Sequence, residues 1–408
     1  MHAFINNLID SDFSYLLFIA IILLATKFLG LVTMKFQMPQ VVGALIAGFI
    51  LGPAVLNLIR DTDLISSLAE IGVIVLMFCA GLETDIKEMK KTGAASFVIA
   101  LIGVLLPLAG GFGVAYFANN DPKLLLHDVF IGIILTATSV SITVETLKEL
   151  GKLNSRAGNA ILGAAIIDDI LGIIGLTIVM SMADPSVSIL IVLVKIVAFF
   201  IFAIIACYLF HILYAKWTST KKDMRRYAIT AFAFCLLLSF CAEFFFDVAD
   251  ITGAYIAGLA IAKTPKTEYV TKRFDNLSYL LLSPIFFASI GLKVNLSGMT
   301  WTIWIFAIVL TLVAILTKIL GCGLGAKMFK FTTTESLQIG VGMISRGEVA
   351  LIVASKGEKM GLMPPQYFGP VVLMVIVTTI ITPVLLKVVF KDRKRKSQPV
   401  AEISEQTV

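Results

Sequence analysis

The chain alternates between long apolar runs and short polar segments over most of its length. A helix needs about 20 predominantly apolar residues to cross a bilayer, and most of the runs come close to that length. The pattern therefore predicts an all-α polytopic membrane protein with about thirteen transmembrane helices. They are placed near residues 14–36, 39–59, 64–82, 93–118, 127–150, 155–182, 187–215, 225–246, 250–263, 273–292, 299–327, 334–357 and 366–390, the ninth being short.

The composition supports a membrane protein. The chain is 58% hydrophobic and 15% charged, whereas a soluble domain carries about 25% charged residues. Its net charge of +6 arises mainly from loops on one side and the tail, which suits a membrane surface and gives no indication of nucleic-acid binding. The sequence has no evident nucleophile–base pair or metal-ligand cluster, so we expect neither an enzyme nor a bound cofactor.

Lysine and arginine are distributed very unevenly between the predicted loops. With the N-terminus outside, about 24 of them fall on inside loops and the tail, and about five fall on outside loops. Cytoplasmic loops carry the excess of positive charge in membrane proteins. We therefore expect an odd number of spans, with the N-terminus outside and the C-terminus in the cytoplasm.

The predicted spans divide into six, one connecting helix and six more. With one helix between them, the two halves enter the membrane in opposite directions, as in transporters built from inverted repeats. We assign residues 1–390 to a transmembrane domain, with a first repeat near 14–182, a linker helix near 187–215 and a second repeat near 225–390. Residues 391–408 form a short cytoplasmic tail.

Two adjacent acids, Asp168 and Asp169, lie in the middle of the sixth predicted span. A charge near the bilayer centre costs roughly 2.5–3.5 kcal/mol on insertion scales, so such acids usually mark an ion or proton path. Neighbours on a helix point about 100° apart, so one carboxylate can face a cavity while the other faces a partner. Lys318, in the middle of the eleventh span, is the expected salt-bridge partner. The alternative is a pair of core acids that only hold helices together.

Polar residues interrupt two spans at matching positions of the two halves. Thr138 and Ser139 lie in the fifth span, and Arg346 and Glu348 lie in the twelfth. Unwound backbone in such broken helices builds the ion sites of inverted-repeat transporters. Because Na⁺ is a hard cation that prefers oxygen ligands, we predict that Thr138 and Ser139 complete an Na⁺ site formed by the two acids. Arg346 and Glu348 are expected to support the second broken helix; helix packing by small residues and a local salt bridge are the alternatives.

Eight short sequence motifs, spread over about residues 14–390, are the basis for a comparison with a known family. They are MPQVVG (38–43), GFILGP (48–53), LAEIG (68–72), FCAGLE (78–83), TATS (136–139), DD (168–169), PIFFA (284–288) and SRGE (345–348). With them the chain resembles the monovalent cation/proton antiporters. The likeness is to the branch that includes bacterial Na⁺/H⁺ antiporters and Kef-type potassium systems.

The resemblance implies a fold of thirteen helices with two crossed broken helices, assembled as a homodimer in the bacterial inner membrane. It implies that Asp169 is the essential acid that binds the ion and carries the proton, and that Asp168 pairs with Lys318. A paired Asp-Asp goes with electrogenic exchange in this family. The chain ends soon after the last predicted span, so no nucleotide-binding domain of the Kef type is expected.

We therefore predict an Na⁺(Li⁺)/H⁺ antiporter that works by alternating access. The alternative is a K⁺/H⁺ antiporter or potassium efflux system of the same fold. An ion channel or an ion sensor is a weaker alternative, because channels place ligands along a pore, whereas the polar groups here gather at one depth. The expected partners are the two exchanged ions and the lipid bilayer.

Overall fold

The computed structural model describes residues 13–35, 38–60, 62–84, 86–119, 124–183, 188–220, 224–262, 264, 267–293 and 300–391. Every regular element within these ranges is a helix. The elements are α1 (Ser14–Lys35), α2 (Gln40–Leu51), α3 (Asp63–Glu83), α4 (Ile86–Asn119), α5 (Leu125–Thr136), α6 (Val140–Glu149), α7 (Arg156–Ala183), α8 (Ile189–Thr220), α9 (Met224–Phe246), α10 (Asp250–Ile261), α11 (Thr267–Leu277), a π-helical turn (Ser278–Leu282), α12 (Ser283–Leu292), α13 (Trp301–Met328), α14 (Thr333–Gly342), α15 (Glu348–Lys359), a 3-10 turn (Pro365–Tyr367) and α16 (Phe368–Val389).

Ten helical stretches within the described residues are long and apolar enough to cross a membrane. The helices α2 and α10 are also apolar, but each contains only 12 residues. The interrupted pair α14–α15 corresponds to the remaining predicted span. The prediction of an all-helical polytopic protein is therefore confirmed. The count of thirteen crossings stays a prediction, as do the domain boundaries and the tail, most of which lies outside the described residues.

The second predicted span is shorter than expected, because its helix ends at Leu51 rather than near residue 59. Gly52 has an extended backbone, with φ −78° and ψ −175°, and the next residue is Pro53. Proline disfavours helical backbone in the residue before it. The chain then turns back, since the N–H groups of Leu58 and Ile59 each donate to the Leu51 carbonyl at 3.0 Å.

The packing of the first half recurs in the second half. The helix α1 packs on α2 as α9 packs on α10, and α4 packs on α7 as α13 packs on α16. The helix α2 contacts α12 from the other half, and α10 contacts α3 in the same way. The central pair, α4 and α13, links the two halves. Such reciprocal pairing is what two similar halves produce when they are related by a two-fold axis.

The helix α1 defines the two faces of the helical bundle. A buried apolar cluster joins the start of α1 to the end of α2, the start of α3 and the end of α12. We call this side the Ser14 face. On the opposite side, where α1 ends, the start of α2 meets the last residue of α6. We call that side the Lys35 face.

The helix α2 crosses α12 so closely that Gly48 has no room for a side chain. A Cβ placed there would lie 1.9 Å from the Ala288 carbonyl oxygen. Gly291 of α12 is equally confined, since its Cβ would lie 2.3 Å from the Phe49 amide nitrogen. Small residues at such crossings bring helix backbones into direct contact, which is a main source of helix association in membranes.

We expect Gly48→Ala to lower the thermal unfolding midpoint of the detergent-solubilised protein, because α2 and α12 would have to separate. Overpacking of this kind costs about 1–3 kcal/mol. Gly113→Ala in α4 is the matched control, since a Cβ there meets no atom within 4 Å and alanine favours a helix over glycine by roughly 0.5–1 kcal/mol. Equal midpoints for the two variants would contradict this packing.

Candidate ion-binding site

Two interrupted helices cross in the bundle. The first is α5–α6, broken at residues 137–139, and the second is α14–α15, broken at residues 343–347. The Ser139 N–H donates to the Ser345 carbonyl at 2.8 Å, and the Ser345 hydroxyl donates to the Ser139 carbonyl at 2.6 Å. Residues of each break thus form hydrogen bonds with backbone groups of the other break. Backbone N–H and C=O groups within a membrane need such partners, because no water is available there.

Threonine hydroxyls from neighbouring helices complete the crossing. Thr143 of α6 donates to the Gly342 carbonyl at 2.7 Å. From α16, Thr378 accepts the Arg346 N–H at 3.3 Å, and Thr379 donates to the Arg346 carbonyl. These threonines are absent from the residues predicted from the sequence. The adjacent Thr378 and Thr379 interrupt the apolar run of the last span, which is the pattern that could have identified them.

Arg346 is fully buried, and its guanidinium serves both broken helices. Nη2 donates to the Leu135 carbonyl at 2.8 Å, and Nη1 donates to the Ile344 carbonyl. Leu135 lies in the last turn of α5, and Ile344 follows the end of α14. The last carbonyls of a helix lack partners and carry partial negative charge. The guanidinium therefore offsets the negative ends of two half-helices.

Asp168 of α7 forms a buried ion pair with Lys318 of α13. Lys318 Nζ lies 2.7 Å from Asp168 Oδ1, and the two side chains are 0% and 1% exposed. The facing helix α4 presents Gly103 here, where a Cβ would lie 2.4 Å from Cys322 Sγ and 4.0 Å from Lys318 Nζ. Removing either member of such a pair leaves an uncompensated buried charge, so the two residues depend on each other.

Asp169 lines a cavity of about 70 Å³. Asp168 and Thr136 contribute to the same cavity, and most of its other walls are apolar. Roughly 10–15 Å³ is enough to hold one water molecule, so the cavity can admit a monovalent cation that keeps part of its hydration. Carboxylate oxygens are the ligands that a hard cation prefers.

At the first helix break, Thr136 lines the cavity beside Asp169. The hydroxyls of the next two polar residues, Thr138 and Ser139, form hydrogen bonds within the helix crossing instead. Thr138 donates to the Thr136 carbonyl at 3.4 Å, and Ser139 shares a hydrogen bond with Ser141 at 3.2 Å. Their function as cation ligands therefore stays a prediction. Glu348 begins α15, and its side chain lies outside the described part of the structure.

The cavity lies on the Ser14 side of the crossing. Val349 and Val353 of α15 line it. The same helix lines a second cavity, of about 380 Å³, together with the start of α3 and the end of α12. Those two helix ends belong to the Ser14 face. The cavity beside the acids therefore lies between the crossing and the Ser14 face.

Comparison with known proteins adds independent information. The family model described as "Sodium/hydrogen exchanger, transmembrane" matches residues 13–392. The chain is 39% identical over 389 residues to the Na(+)/H(+)-K(+) antiporter GerN of Bacillus cereus, an alignment that covers 95% of this chain and 99% of that protein. It is 37% identical over 384 residues to a Na(+)/H(+) antiporter of Enterococcus hirae, covering 90% and 96%.

A solved structure with the same fold is the sodium proton antiporter MjNhaP1 from Methanocaldococcus jannaschii at pH 8. It superposes with a TM-score of 0.68 at 20% sequence identity and covers 91% of this chain and 95% of that one. The predicted sodium/proton antiporter fold is thereby confirmed.

We expect Lys318→Met to lower the thermal unfolding midpoint strongly, because Asp168 would remain as a buried unpaired charge. Losing one partner of such a pair typically costs about 3–5 kcal/mol. Adding Asp168→Asn should restore most of the loss, since both charges are then gone. Lys327→Met on the same helix is the control, because Lys327 makes an exposed bond to Thr333 at 2.7 Å. A Lys318→Met protein as stable as the control contradicts the assignment.

We expect Arg346→Ala to leave the apparent cation affinity close to that of the wild type but to lower stability or turnover. The carbonyls of Leu135 and Ile344 would lose their donors, and an unmet buried polar group costs about 1–3 kcal/mol. Transport rates over a range of cation concentrations give the affinity, and thermal unfolding gives the stability. A large loss of affinity in a normally stable protein would place Arg346 in the ion site itself.

Proposed function

Because the chain belongs to the sodium/hydrogen exchanger family, we propose that it is a secondary antiporter that exchanges Na⁺ or Li⁺ for H⁺ by alternating access. The observation that carries the proposal is Asp169, which lines a mid-bundle cavity beside the Asp168–Lys318 ion pair. The names of the relatives from Bacillus cereus and Enterococcus hirae support it. The cycle moves ions and converts no substrate chemically.

In the proposed cycle, the cation and the proton compete for the same carboxylate. Ionised Asp169 binds Na⁺, and protonated Asp169 is neutral and releases it. A bare carboxylate is unfavourable in the low-dielectric interior, because burial penalises the charged form. The protein therefore switches the access of the site from one side of the membrane to the other only when Asp169 carries the cation or the proton. This condition couples the flux of the cation to the flux of the proton.

We propose that the ion pair makes the exchange electrogenic. When Na⁺ binds to both carboxylates, Asp168 is drawn away from Lys318, and the released ammonium passes a proton to the solution in this proposal. Two protons would then leave for each Na⁺ that enters the site, which moves net charge across the membrane.

A second candidate is K⁺/H⁺ exchange at the same site. The Bacillus cereus relative is named an Na(+)/H(+)-K(+) antiporter, and K⁺ also takes oxygen ligands. The same acids would carry this exchange, so the two candidates differ in the cation and share the mechanism.

We propose that the Lys35 face is cytoplasmic and that the protein is a homodimer in a bacterial inner membrane. The excess of lysine and arginine in the loops assigned to that side supports the orientation. Exposed apolar side chains, such as Leu24 and Phe28 of α1 and Leu190 and Ile204 of α8, cover the outside of the bundle. Lipid and a second subunit would contact these surfaces.

We expect Asp169→Asn to abolish exchange, because an amide can neither carry the proton nor offer a charged ligand. The measurement is the internal pH of proteoliposomes with an imposed proton gradient, after addition of Na⁺, Li⁺ or K⁺. Asp63→Asn is the control, since Asp63 is an exposed acid in the first turn of α3. It should exchange like the wild type.

Each outcome of this assay decides between the candidates. Collapse of the gradient by Na⁺ or Li⁺ in the wild type and not in Asp169→Asn supports the main proposal. Collapse by K⁺ alone supports the second candidate. Cation-driven collapse that persists in Asp169→Asn removes Asp169 from the central role.

A further inference from the structure

The last turn of α6 is tied to three other helices at the Lys35 face. Lys148 Nζ lies 3.0 Å from Glu83 Oε1 at the end of α3 and 2.5 Å from Asp275 Oδ1 on α11. Glu149 Oε2 accepts the N–H of Gln40, the first residue of α2, at 2.9 Å. We call these contacts of Lys148 and Glu149 the α6 clasp.

Glu149 caps the N-terminus of α2 although it belongs to another helix. The residue before α2 is Pro39, which makes no side-chain capping bond. A carboxylate at this position satisfies an open N–H group and meets the positive end of the helix dipole. The clasp therefore combines a shared ion pair with a helix cap, and both contacts come from one turn of α6.

The clasp and the ion cavity lie on opposite sides of the crossing. The helix α6 runs from the crossing to the Lys35 face, and the residues that are buried along it include Val140, Val144 and Leu147. The cavity beside Asp169 is lined instead by α15, on the Ser14 side. If the acids are to reach the Lys35 face, α6 has to part from α2, α3 and α11.

We propose that the α6 clasp is the gate of the exchanger on the Lys35 face, and that Lys148 is the positioning residue that keeps this gate closed. The inference rests on the proposed antiport function, because an alternating-access cycle requires each side to open in turn. In the state that the structure describes, the clasp is closed, and the cavity that the acids line is on the Ser14 side of the crossing. Opening of the clasp exposes the acids to the Lys35 face.

The exposure of the clasp suits a contact that breaks and re-forms. The side chains of Lys148, Glu83 and Asp275 are between 25% and 35% exposed. Water can replace the contacts of such a pair at modest cost. The pair between Asp168 and Lys318 is fully buried by comparison, so its separation is far more costly.

The acids around the clasp make it sensitive to the charge of Lys148. Glu145, one turn earlier on α6, lines a cavity of about 450 Å³ together with Glu149. Without the ammonium group, the carboxylates of Glu83 and Asp275 would lose the cation that holds both of them to α6, and only acids would remain on this turn of α6. Like charges at short range repel. Removal of Lys148 should therefore drive α6 away from α3 and α11.

The affinity for the cation at each face tests the gate. Lys148→Met should favour the state that is open to the Lys35 face. The apparent KM for the exchanged cation should then rise at the Ser14 face and fall at the Lys35 face, by about five- to tenfold in each direction, the range of ordinary coupling between conformational states. Proteoliposomes of one orientation, with the cation varied on one side at a time, provide both values. A purely structural defect lowers turnover without moving the two KM values in opposite directions.

Cys79 provides a second readout that does not depend on transport. It lies one turn before Glu83 on α3 and is 2% exposed. In a parent protein with Cys79 as its single cysteine, labelling by a membrane-impermeant maleimide at the Lys35 face reports opening of the clasp. Lys148→Met should increase the labelling rate several-fold, whereas Lys148→Arg should stay close to the parent because it keeps the charge. The cysteines to be replaced by alanine are Cys207, Cys235, Cys241 and Cys322.

Lys272→Met is the matched control, because Lys272 pairs with Glu268 within α11 itself, at 2.6 Å. It should change neither the labelling of Cys79 nor the two KM values. Unchanged labelling and unchanged KM values in Lys148→Met would overturn the gate. A wild type that exchanges no cation would overturn the antiport function instead, and Cys79 labelling would still decide for or against the clasp.

Discussion

The need to satisfy backbone hydrogen bonds inside a membrane governs this structure. A broken helix leaves N–H and C=O groups open, and each such group is costly in a hydrocarbon environment. Ser139 and Ser345 meet this requirement by bonding to each other, and Arg346 takes up two further carbonyls. Once the two breaks are joined, α7 and α13 can place charged side chains in the same bundle without exposing them to lipid.

Two kinds of contact hold the helices together, and they differ in how easily they separate. Glycine contacts bring backbones together: a Cβ at Gly81 of α3 would lie 2.2 Å from the Tyr255 carbonyl oxygen, and one at Gly258 of α10 would lie 2.3 Å from the Phe78 carbonyl oxygen. The end of α6, by contrast, meets its neighbours through partly exposed charges. The first kind favours rigid units, and the second allows units to move against each other.

The two adjacent acids of α7 also fall into two kinds, one paired with a lysine and one beside a cavity. The buried pair of Asp168 and Lys318 is neutral as a unit and almost unexposed, so it adds no net charge to the interior as long as the pair is intact. Asp169 lines a cavity instead, which is where we propose that the cation and the proton bind. Adjacent residues on one helix therefore have distinct environments, because they point in different directions from its axis.

The amino-acid sequence by itself determined the helical fold, the position of both breaks and the buried charges. These features depend on the length of apolar runs and on the cost of a charge within them, which are local properties. Tertiary structure placed Lys318 against Asp168, 150 residues away; the residues alone left both acids open as its partner, and only the family resemblance pointed to Asp168. Tertiary structure also brought Thr378 and Thr379 to the crossing. It also tied Lys148 to two distant acids. Such contacts depend on which helix faces pack together, and periodicity within one segment carries no information about its neighbours.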